Sequence, residues 1–407
     1  MIELDCRGQG TGAGRMLIER YNALAPGERL SARTDTYEAT LRISLLEAGV
    51  RHRTVRSLDG TWELLIERGL SPAQGSIPGV HHVVSDGQAS VWVCERAARI
   101  ARIDGRERRV AATASVARAA AHLALDAERG LLYVADAGAG EILVLSATDL
   151  KLRDRWTAPG APQLPMVSPE GLVCVTGGAS GTLTIARPRA GGYEAQTVAV
   201  GQSPHDVALT LDGGFVFVSC TGDGELVKVR LRDGRIMGRC KSGDGPAHLH
   251  AAGRRVYATN TWDGTVTCVT EDGEQVARAD SGVWAHVVAA TPDERWLFVA
   301  NFFDDTLAIF DADGLKRVAL LETEAYPHGL GLSPDGRYAV ATGFSSDSLR
   351  IYDARARTEL ARVEVGRGSS HIAFLGNFAF VCCSVADHVA CVDLEARSEV
   401  ARITLNA

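Results

Sequence analysis

The stretch YPHGLGLSPDGRYAVATG, residues 326–343, has a histidine directly in front of a pattern that predicts a tight β-hairpin. Apolar runs flank the turn SPDG at 333–336, where Asp and Gly suit the backbone conformations that a hairpin turn requires. Similar turns lie between two apolar runs in TPDE at 291–294, TLDG at 210–213 and SPEG at 168–171. We therefore interpret residues 326–343 as one copy of a repeated unit.

The repeated unit is about 42 residues long and contains four short strands. After each turn comes a run such as LLYVAD, FVFVSC or FAFVCC, and a third run such as ILVLSATD or LRIYDAR follows a polar loop. These runs are rich in β-branched and aromatic residues, which favours strands. Four strands in a unit of this length are typical of a β-propeller blade. Because eight units fill residues 78–407, the sequence predicts an all-β, eight-bladed β-propeller, with seven blades as the alternative if one unit is degenerate.

This repeat resembles the YVTN family of β-propellers, in which a hairpin and a YVTN-like strand recur. The resemblance covers about 330 residues and implies a fold, but not an activity, because propellers host many unrelated functions. The number of blades resembles instead that of the haem d1 domain of cytochrome cd1 nitrite reductases and their relatives.

Residues 1–70 follow a different pattern and are predicted to form a small α+β domain, with residues 71–77 as a linker. The order βαβαββ resembles the small TusA-like sulfur-carrier fold, and LDCRG at 4–8 matches the LD-x-RG opening of that family. The position of the family's sulfur-carrying cysteine reads Thr11 here. Cys6 is therefore the candidate sulfur carrier, with a buried structural cysteine as the alternative.

Histidines recur at the start of the first strand in seven of the eight units. In a propeller this strand lines the central channel, and its first residues lie at the channel mouth. Repeat duplication or a structural hydrogen bond could explain the pattern, but the residues before the histidine differ from unit to unit while the histidine is kept. The candidate metal ligands are His81, His82, His122, His205, His248, His286, His328 and His371.

Imidazoles crowded around one axis would repel one another if protonated, so we expect neutral rings that bind a metal. Imidazole suits copper, zinc, iron and nickel, and does not favour magnesium or calcium. Because metal–nitrogen bonds are about 2 Å long, one ion cannot contact a whole ring of ligands. Three arrangements remain open: an off-centre ion bound by three or four adjacent histidines, a multinuclear cluster, or a flat macrocycle with axial ligands.

The pair His81–His82, followed by single histidines in later units, resembles the catalytic propeller of nitrous oxide reductases, where such a set holds a copper–sulfide cluster. That resemblance implies copper, with a multinuclear centre as one form. The cytochrome d1 resemblance implies iron or haem d1 as alternatives, with Arg96, Arg99 and Arg367 available near the mouth for the carboxylates of the macrocycle.

The loops after the second strand of each unit open on the same face as the histidines, and we predict a substrate pocket there. Asp and Asn in such loops also cap turns, and aromatic side chains also pack between blades. Three cysteines of these loops are expected at one position of the repeat: Cys94, Cys220 and Cys383. The pocket candidates are Cys94, Asp136, Cys220, Asn260, Trp262, Asn301, Phe302, Cys383 and His388.

The composition limits the choice of partners. A net charge of −7 with both signs interspersed argues against nucleic acid and anionic membrane surfaces. The sequence has no apolar run long enough for a transmembrane helix, and MIELDCRG at the N-terminus lacks the pattern of an export signal. We therefore expect a cytoplasmic protein whose nine cysteines are reduced thiols.

These observations predict a metal-dependent oxidoreductase that holds a redox metal, copper in the first place, in the propeller channel and acts on a small molecule. An electron-donor protein or a sulfur-transfer protein is the expected partner. The alternatives are a propeller that binds d1-type haem, and a non-catalytic protein-interaction scaffold with structural histidines.

Overall fold

A computed structural model describes residues 2–5, 20, 29–34, 51–56, 62–67, 79–95 and 98–405. The chain divides into two compact units, Met1–Ile77 and Pro78–Ala407. Within the described residues, no helix has both the length and the apolar character needed to cross a membrane.

Four strands are described in the first unit, and they form one sheet in the order β1-β2-β4-β3. They are β1 (Ile2–Asp5), β2 (Arg29–Thr34), β3 (Arg51–Arg56) and β4 (Trp62–Glu67). Strand β1 is parallel to β2, whereas β4 is antiparallel to both of its neighbours. Each of these strands lies within a segment where the sequence predicts one.

Several sequence predictions for the first unit lie outside the described residues. Apart from Arg20, which is helical, these are the two predicted helices at 12–24 and 36–50, the linker at 71–77 and the candidate sulfur carrier Cys6. The TusA-like resemblance therefore stays a prediction.

The second unit contains eight four-stranded antiparallel sheets, which we number as blades 1–8. Blades 1 and 2 are β5–β8 (Val80–Ser85, Ser90–Glu95, Arg99–Asp104, Arg109–Ser115) and β9–β12 (Ala120–Asp126, Leu131–Asp136, Glu141–Ser146, Leu152–Thr157). Blades 3 and 4 are β13–β16 (Met166–Val167, Val173–Gly177, Thr182–Arg189, Gly192–Ala199) and β17–β20 (Pro204–Leu209, Phe215–Cys220, Glu225–Arg230, Arg235–Lys241). Blades 5 and 6 are β21–β24 (Pro246–Ala252, Arg255–Asn260, Thr265–Thr270, Gln275–Asp280) and β25–β28 (Ala285–Ala290, Trp296–Asn301, Thr306–Asp311, Lys316–Glu322). Blades 7 and 8 are β29–β32 (Pro327–Leu332, Tyr338–Gly343, Ser348–Asp353, Thr358–Glu364) and β33–β36 (Ser369–Leu375, Phe378–Cys383, His388–Asp393, Ser398–Ile403). The predicted all-β, eight-bladed propeller is confirmed, and the seven-bladed alternative is wrong.

Burial along each blade follows the position of the strand. The first strands of adjacent blades contact one another around the channel, as β5 does with β9 and β17 with β21. The second and third strands are covered on both faces by neighbouring blades, so every residue of β6 is buried. The fourth strands are at the rim, where β8 alternates between exposed and half-buried residues. The continuous apolar runs of the sequence are therefore the middle strands of each blade.

The ring closes without strand exchange, because each sheet consists of four consecutive strands. Blade 8 packs on blade 1 through a buried apolar cluster that includes Val83, Ile103, Leu375 and Phe380. The Ser85 hydroxyl donates a hydrogen bond of 2.5 Å to the carbonyl of Phe374 across this junction. Closure therefore depends on side-chain packing and a few inter-blade hydrogen bonds.

Candidate metal centre

The histidines of the predicted register lie unpaired in a β-bulge of a first strand, except in blade 1, where His81 is the unpaired residue and His82 pairs with Cys94. In blade 4 the pairing of β17 with β18 shifts between Pro204 and Val207, so that His205 lies in the irregular segment. The same shift occurs at the histidine positions of blades 1, 2, 5, 6, 7 and 8. A bulge inserts an extra residue and changes the direction of its side chain, and bulges are frequent beside active sites. Backbone irregularity thus directs the imidazoles into the channel.

Four of the rings form a compact group on blades 8, 1 and 2, which we call the four-histidine cluster: His81, His82, His122 and His371. The ring centroid of His82 lies 4.8 Å from that of His122 and 4.8 Å from that of His371. The ring centroid of His81 lies 5.2 Å from that of His122 and 5.0 Å from that of His371. All of these contacts are edge-to-face, which is a favourable arrangement for aromatic rings.

The other four rings form a row along blades 4–7. Consecutive centroids are 4.8, 4.7 and 5.0 Å apart in the order His205, His248, His286, His328. The row meets the four-histidine cluster at His371, whose centroid is 5.1 Å from that of His328. All eight predicted ligands therefore lie in one continuous arc of rings.

The arc is open at blade 3, which carries no histidine. The first strand of this blade is only two residues long, Met166 and Val167. The backbone carbonyl of Met166 accepts a hydrogen bond of 3.7 Å from the thiol of Cys174. Gln163, which precedes this strand, donates a hydrogen bond of 3.3 Å from its backbone N–H to the backbone carbonyl of Thr176.

Three members of the four-histidine cluster have the spacing of a metal site. Ligand nitrogens of His82, His122 and His371 lie within 4.8 Å of one another. Tetrahedral metal–nitrogen bonds of about 2 Å place their nitrogens about 3.3 Å apart, so the rings must rotate inward to bind an ion. This geometry fits the off-centre ion among the three arrangements that the sequence leaves open.

Hydrogen bonds determine which ring nitrogens can act as ligands. His371 Nδ1 donates to the carbonyl oxygen of His81 at 2.7 Å, which leaves a lone pair on Nε2, as in many metal-binding histidines. His82 Nδ1 instead accepts the backbone N–H of Leu123 at 3.3 Å. The proton of neutral His82 is therefore on Nε2, and this nitrogen would bind a metal ion once the proton moves to Nδ1 and the hydrogen bond from Leu123 is lost.

Burial keeps four of the channel imidazoles neutral: His82, His122, His205 and His286. Desolvation and the neighbouring histidines hold the pKa of His122 and His286 well below the usual value, and His82 is lowered in the same way by burial and His371. Burial and the adjacent His248 lower the pKa of His205 to about 4. Neutral imidazole is the form that binds metals.

Some of these buried nitrogens have no hydrogen-bond partner among the described residues: His122 Nδ1, His205 Nδ1 and His286 Nε2. Buried polar atoms are normally paired, and an unpaired one calls for an explanation such as an unseen ion. Together with the depressed pKa values, these atoms make the channel suited to a cationic metal.

A buried carboxylate that the sequence analysis missed orients one ring of the row. Asp206 Oδ2 lies 3.5 Å from His248 Nδ1 and accepts the N–H of Leu249 at 3.0 Å. Its Oδ1 accepts the N–H of Val207 at 2.7 Å. The only signal in the sequence is that Asp206 directly follows His205, which places it in the same bulge.

Hydroxyl side chains, also missed, connect the bulges of adjacent blades. Thr259 Oγ1 accepts the N–H of His248 at 3.2 Å and donates to the carbonyl of His286 at 2.7 Å. Equivalent hydroxyls donate to bulge carbonyls of the next blade from Thr176, Ser219 and Thr342. The sequence indicates them only through a recurring Ser or Thr at the next-to-last position of runs such as LVCVTG and RVYATN.

The predicted pocket amides are used in turn hydrogen bonds. Asn260 Oδ1 accepts the hydroxyl of Ser242 at 2.7 Å, and its Nδ2 donates to Thr265 and Thr267 at 2.9 and 2.8 Å. Asn301 has the corresponding bonds, with its Oδ1 accepting the hydroxyl of Ser281 at 2.7 Å. Both side chains are fully buried, so they stabilise the blade and do not face a ligand.

Other predicted pocket residues are structural in the same sense. The carboxylate of Asp136 is buried and accepts the N–H groups of Arg118 and Ala119 at 2.6 and 3.0 Å. His388 Nε2 is 2.7 Å from the carbonyl of Val365, and the ring is buried between blades 7 and 8.

The cysteines of the predicted pocket do not share one position. Cys94 is the next-to-last residue of β6, equivalent to Ser219 in β18, whereas Cys220 and Cys383 end their strands. All three are fully buried, and their thiols lie 3.4–3.7 Å from backbone carbonyls of Ala121, Val200 and Val365. The expected common register is therefore wrong by one residue for Cys94.

The two predicted aromatic pocket residues differ in exposure. Trp262 is 50% exposed on blade 5, and Phe302 is buried with its ring centroid 5.4 Å from that of His286. Of the arginines considered for a macrocycle, Arg99 is paired with Glu95 at 3.5 Å and donates to the Leu405 carbonyl at 2.8 Å. Arg367 is exposed, and Arg96 lies outside the described residues.

Three other proteins are similar to this chain over part of its length. The antigen Lp49 of Leptospira interrogans is 25% identical over 119 residues, which are 29% of this chain and 21% of the antigen, so the match spans about a fifth of that protein. Hydrazine synthase of Kuenenia stuttgartiensis has a similar structure with a TM-score of 0.56 and 16% identity, over 67% of this chain and 95% of that one. The dihydro-haem d1 dehydrogenase NirN matches with a TM-score of 0.59 and 17% identity, over 78% of this chain and 73% of that one. At these identities, the structural matches show the fold alone.

A family description covers more of the chain. The family described as lactonase, 7-bladed beta-propeller, matches residues 82–326, from the inner strand of blade 1 to the loop before blade 7. The match spans more than half of the 407 residues and six of the eight blades. The chain therefore belongs to the lactonase family of β-propellers, with eight blades where the family description has seven.

Proposed function

We propose that the propeller binds a redox-active transition metal, with copper as the first candidate, and uses it in an oxidoreductase reaction on a small molecule. The observation that supports this function is the four-histidine cluster, in which three ligand nitrogens lie within 4.8 Å of one another. Neutral imidazoles are good ligands for copper, and copper binds such nitrogen sites most tightly among the common divalent ions.

The residues of the chain would have distinct roles at this centre. His371 offers Nε2 because its Nδ1 proton is held by the carbonyl of His81. His82 and His122 complete the three-nitrogen set, which leaves a coordination position for a substrate. A bound copper ion would supply one-electron chemistry, and an electron-donor protein would be the matching partner.

A macrocycle such as haem d1 is the second candidate. The continuous arc of imidazoles surrounds the channel, so an axial ligand is available from several blades. The similarity to NirN, which was solved in complex with its haem ligand, agrees with this alternative at the level of fold. Arg99 donates a hydrogen bond to the carbonyl of Leu405, so this side chain is less suited to pair with a carboxylate of such a cofactor.

Metal analysis with variants tests the proposal. The full chain is purified without a histidine tag, loaded with copper under anaerobic conditions and analysed for bound metal and by electron paramagnetic resonance. We expect the triple variant His82→Gln, His122→Gln, His371→Gln to lose the bound ion. The matched control is His250→Gln, because His250 is on β21 in regular pairing with Tyr257, outside the bulge.

Two results would contradict the proposal. Wild-type protein that stays metal-free after loading would leave a binding scaffold with structural histidines. Hydrolysis of a lactone by zinc-loaded protein, with no turnover in redox assays, would assign the same histidines to water activation. A Soret band in protein loaded with a haem would favour the second candidate.

A further inference from the structure

Aromatic residues on blades 6 and 7 form a second feature of the channel mouth, which we call the aromatic crescent: Trp284, Phe302, Phe303, Tyr326 and Phe344. Phe302 and Phe344 are the first residues after β26 and β30, and their N–H groups donate to the carbonyls of Trp284 and Tyr326 at 3.0 and 2.9 Å. In four other blades the residue that donates this bond is small: Ala137, Thr221, Thr261 and Ser384. The crescent is therefore a local departure from the repeat.

The rings of the crescent contact one another and the histidine row. The centroid of Phe302 is 5.3 Å from that of Tyr326 in a stacked arrangement and 5.0 Å from that of Phe303. Phe302 also lies 5.4 Å from His286, and Phe344 lies 5.7 Å from His328. The crescent thus borders the row of imidazoles at His286 and His328, the end at which the row meets the four-histidine cluster.

Two residues of the crescent have a strained backbone. Trp284 and Tyr326 have φ values of 63° and 56°, in the left-handed region that bulky residues avoid. The equivalent residues of blades 4, 5 and 8 are Ser203, Gly245 and Gly368, also with positive φ. A bulky side chain held in this conformation strains the backbone, and residues strained in this way are frequent at ligand sites. Glycine would satisfy the turn, so the aromatic side chains have another role.

Acidic residues surround the crescent. Asp305 Oδ1 accepts the N–H of Tyr326 at 2.8 Å, and Asp304 Oδ2 accepts the N–H of Val283. Burial raises the pKa of Asp305, and the nearby carboxylates of Asp304 and Glu324 raise it further, so these acidic side chains lie close enough to repel one another.

We propose that the aromatic crescent binds an organic cation that has a planar or apolar body. Aromatic faces attract cations through the ring quadrupole, and planar ligands stack on them. The acidic residues at the same place favour a positive ligand and disfavour an anion. That this cation is the substrate of the metal centre rests on the proposed function, whereas the binding site itself does not.

Three planar probes of similar size but different charge test the proposal on the full chain by titration calorimetry. They are 1-methylquinolinium (positive), 1-methylnaphthalene (neutral) and 1-naphthoate (negative). We expect the cation to bind at least ~10-fold more tightly than the neutral probe, which corresponds to about 1.4 kcal/mol, and the anion to bind weakest. Added salt should weaken only the binding of the cation.

Variants locate the site. Tyr326→Gly restores the residue type of blades 5 and 8 and relieves the strain, so it keeps the fold while removing the stacking surface. We expect at least ~10-fold weaker binding of the cation by Tyr326→Gly and by Phe302→Leu, within the range of cation–π energies. Trp296→Phe is the control, because Trp296 begins β26, at the opposite end of that strand from Phe302, and its ring is contacted by Arg357.

The outcomes separate this site from the metal centre. Equal affinity for all three probes, absence of binding, or cation binding unchanged in Tyr326→Gly and Phe302→Leu would overturn the proposal. Copper content is measured in the same variants and should stay at the wild-type level. Loss of copper in the histidine triple variant with normal probe binding would leave the crescent intact as a binding site.

Discussion

Thr259 shows how one side chain connects two blades at the candidate site. Its hydroxyl accepts the N–H of His248 in its own blade and donates to the carbonyl of His286 in the next blade. Thr342 and Ser219 have the same double role. The threonine of the YVTN-like run therefore supports the neighbouring bulge, which explains why a polar residue recurs in a buried strand.

Replacing this hydroxyl should destabilise the bulge. Thr259→Val keeps the shape of the side chain but leaves a buried N–H and a buried carbonyl without this partner, so we expect a loss of about 2 kcal/mol in the free energy of unfolding. Thr259→Ser retains the hydroxyl and should cost less than half as much. Denaturant unfolding of the three proteins measures the difference. Equal losses in Val and Ser variants would show that the methyl group matters more than the hydrogen bonds.

A buried carboxylate on blade 7 links stability to pH. Glu324 accepts hydrogen bonds from Ser346, Ser348 and Arg350 at 2.7, 2.8 and 3.0 Å. Burial alone would raise the pKa of Glu324, but these bonds and the charge of Arg362 lower it below the ordinary value. The carboxylate therefore binds protons less readily in the folded protein than in the unfolded one.

The sign of the pH effect follows from this shift. The contribution of Glu324 is fully present above the unfolded pKa of about 4.5 and is lost as the pH falls through the lower folded value. We expect Glu324→Gln to cost about 2 kcal/mol at pH 7 and progressively less below pH 4.5. Unfolding of wild type and variant at a series of pH values gives this difference. A constant difference across the series would contradict the prediction.

The strands and their order could be predicted from the sequence because turns and apolar runs are local signals. The recurrence of TLDG, TPDE and SPDG between such runs placed the hairpins, and the histidine register placed the first strands. The bulges could not be predicted, since a bulge is defined by two residues opposing one on a partner strand. For the same reason Cys94 was placed one residue away from its true equivalent, Ser219.

The middle strands make the propeller thiols unreactive. Eight cysteines are described, and seven of them are buried. Burial raises the pKa of Cys174, Cys220 and Cys383 to about 12 and that of Cys268 and Cys391 to about 11. The half-buried Cys240, on the outer strand β20, also has its pKa raised by burial, to about 11. A thiol with such a pKa carries almost no thiolate at neutral pH, and the thiolate is the reactive form.

Thiol titration of the native protein follows from this arrangement. We expect at most one equivalent of rapid reaction with DTNB at pH 7, and that equivalent should disappear in Cys6→Ser. Titration in denaturant should return all nine thiols of the sequence. Rapid reaction that persists in Cys6→Ser would show that a propeller cysteine is accessible after all.

The ring of eight blades has one junction where its first and last blades, β5–β8 and β33–β36, meet, and no strand crosses this junction. Blade 8 contacts blade 1 through the apolar cluster around Leu375 and Phe380 and through hydrogen bonds such as that of Ser85. The four-histidine cluster lies at the same junction, because His371 belongs to blade 8 and His82 to blade 1. The candidate metal centre is thus also a candidate clamp of the closure.

Metal binding should therefore protect the closure more than the rest of the ring. A metal that binds only the folded state stabilises it, and the elements that carry its ligands gain most against local opening. Hydrogen exchange followed by mass spectrometry, with and without copper, should show slower exchange in β5, β9 and β33 and little change in β17 and β21. In the triple variant of His82, His122 and His371 the effect should vanish. Protection centred instead on β17, β21 and β25 would move the ion to the row of His205, His248 and His286, where the unpaired nitrogens of His205 and His286 offer the other binding position.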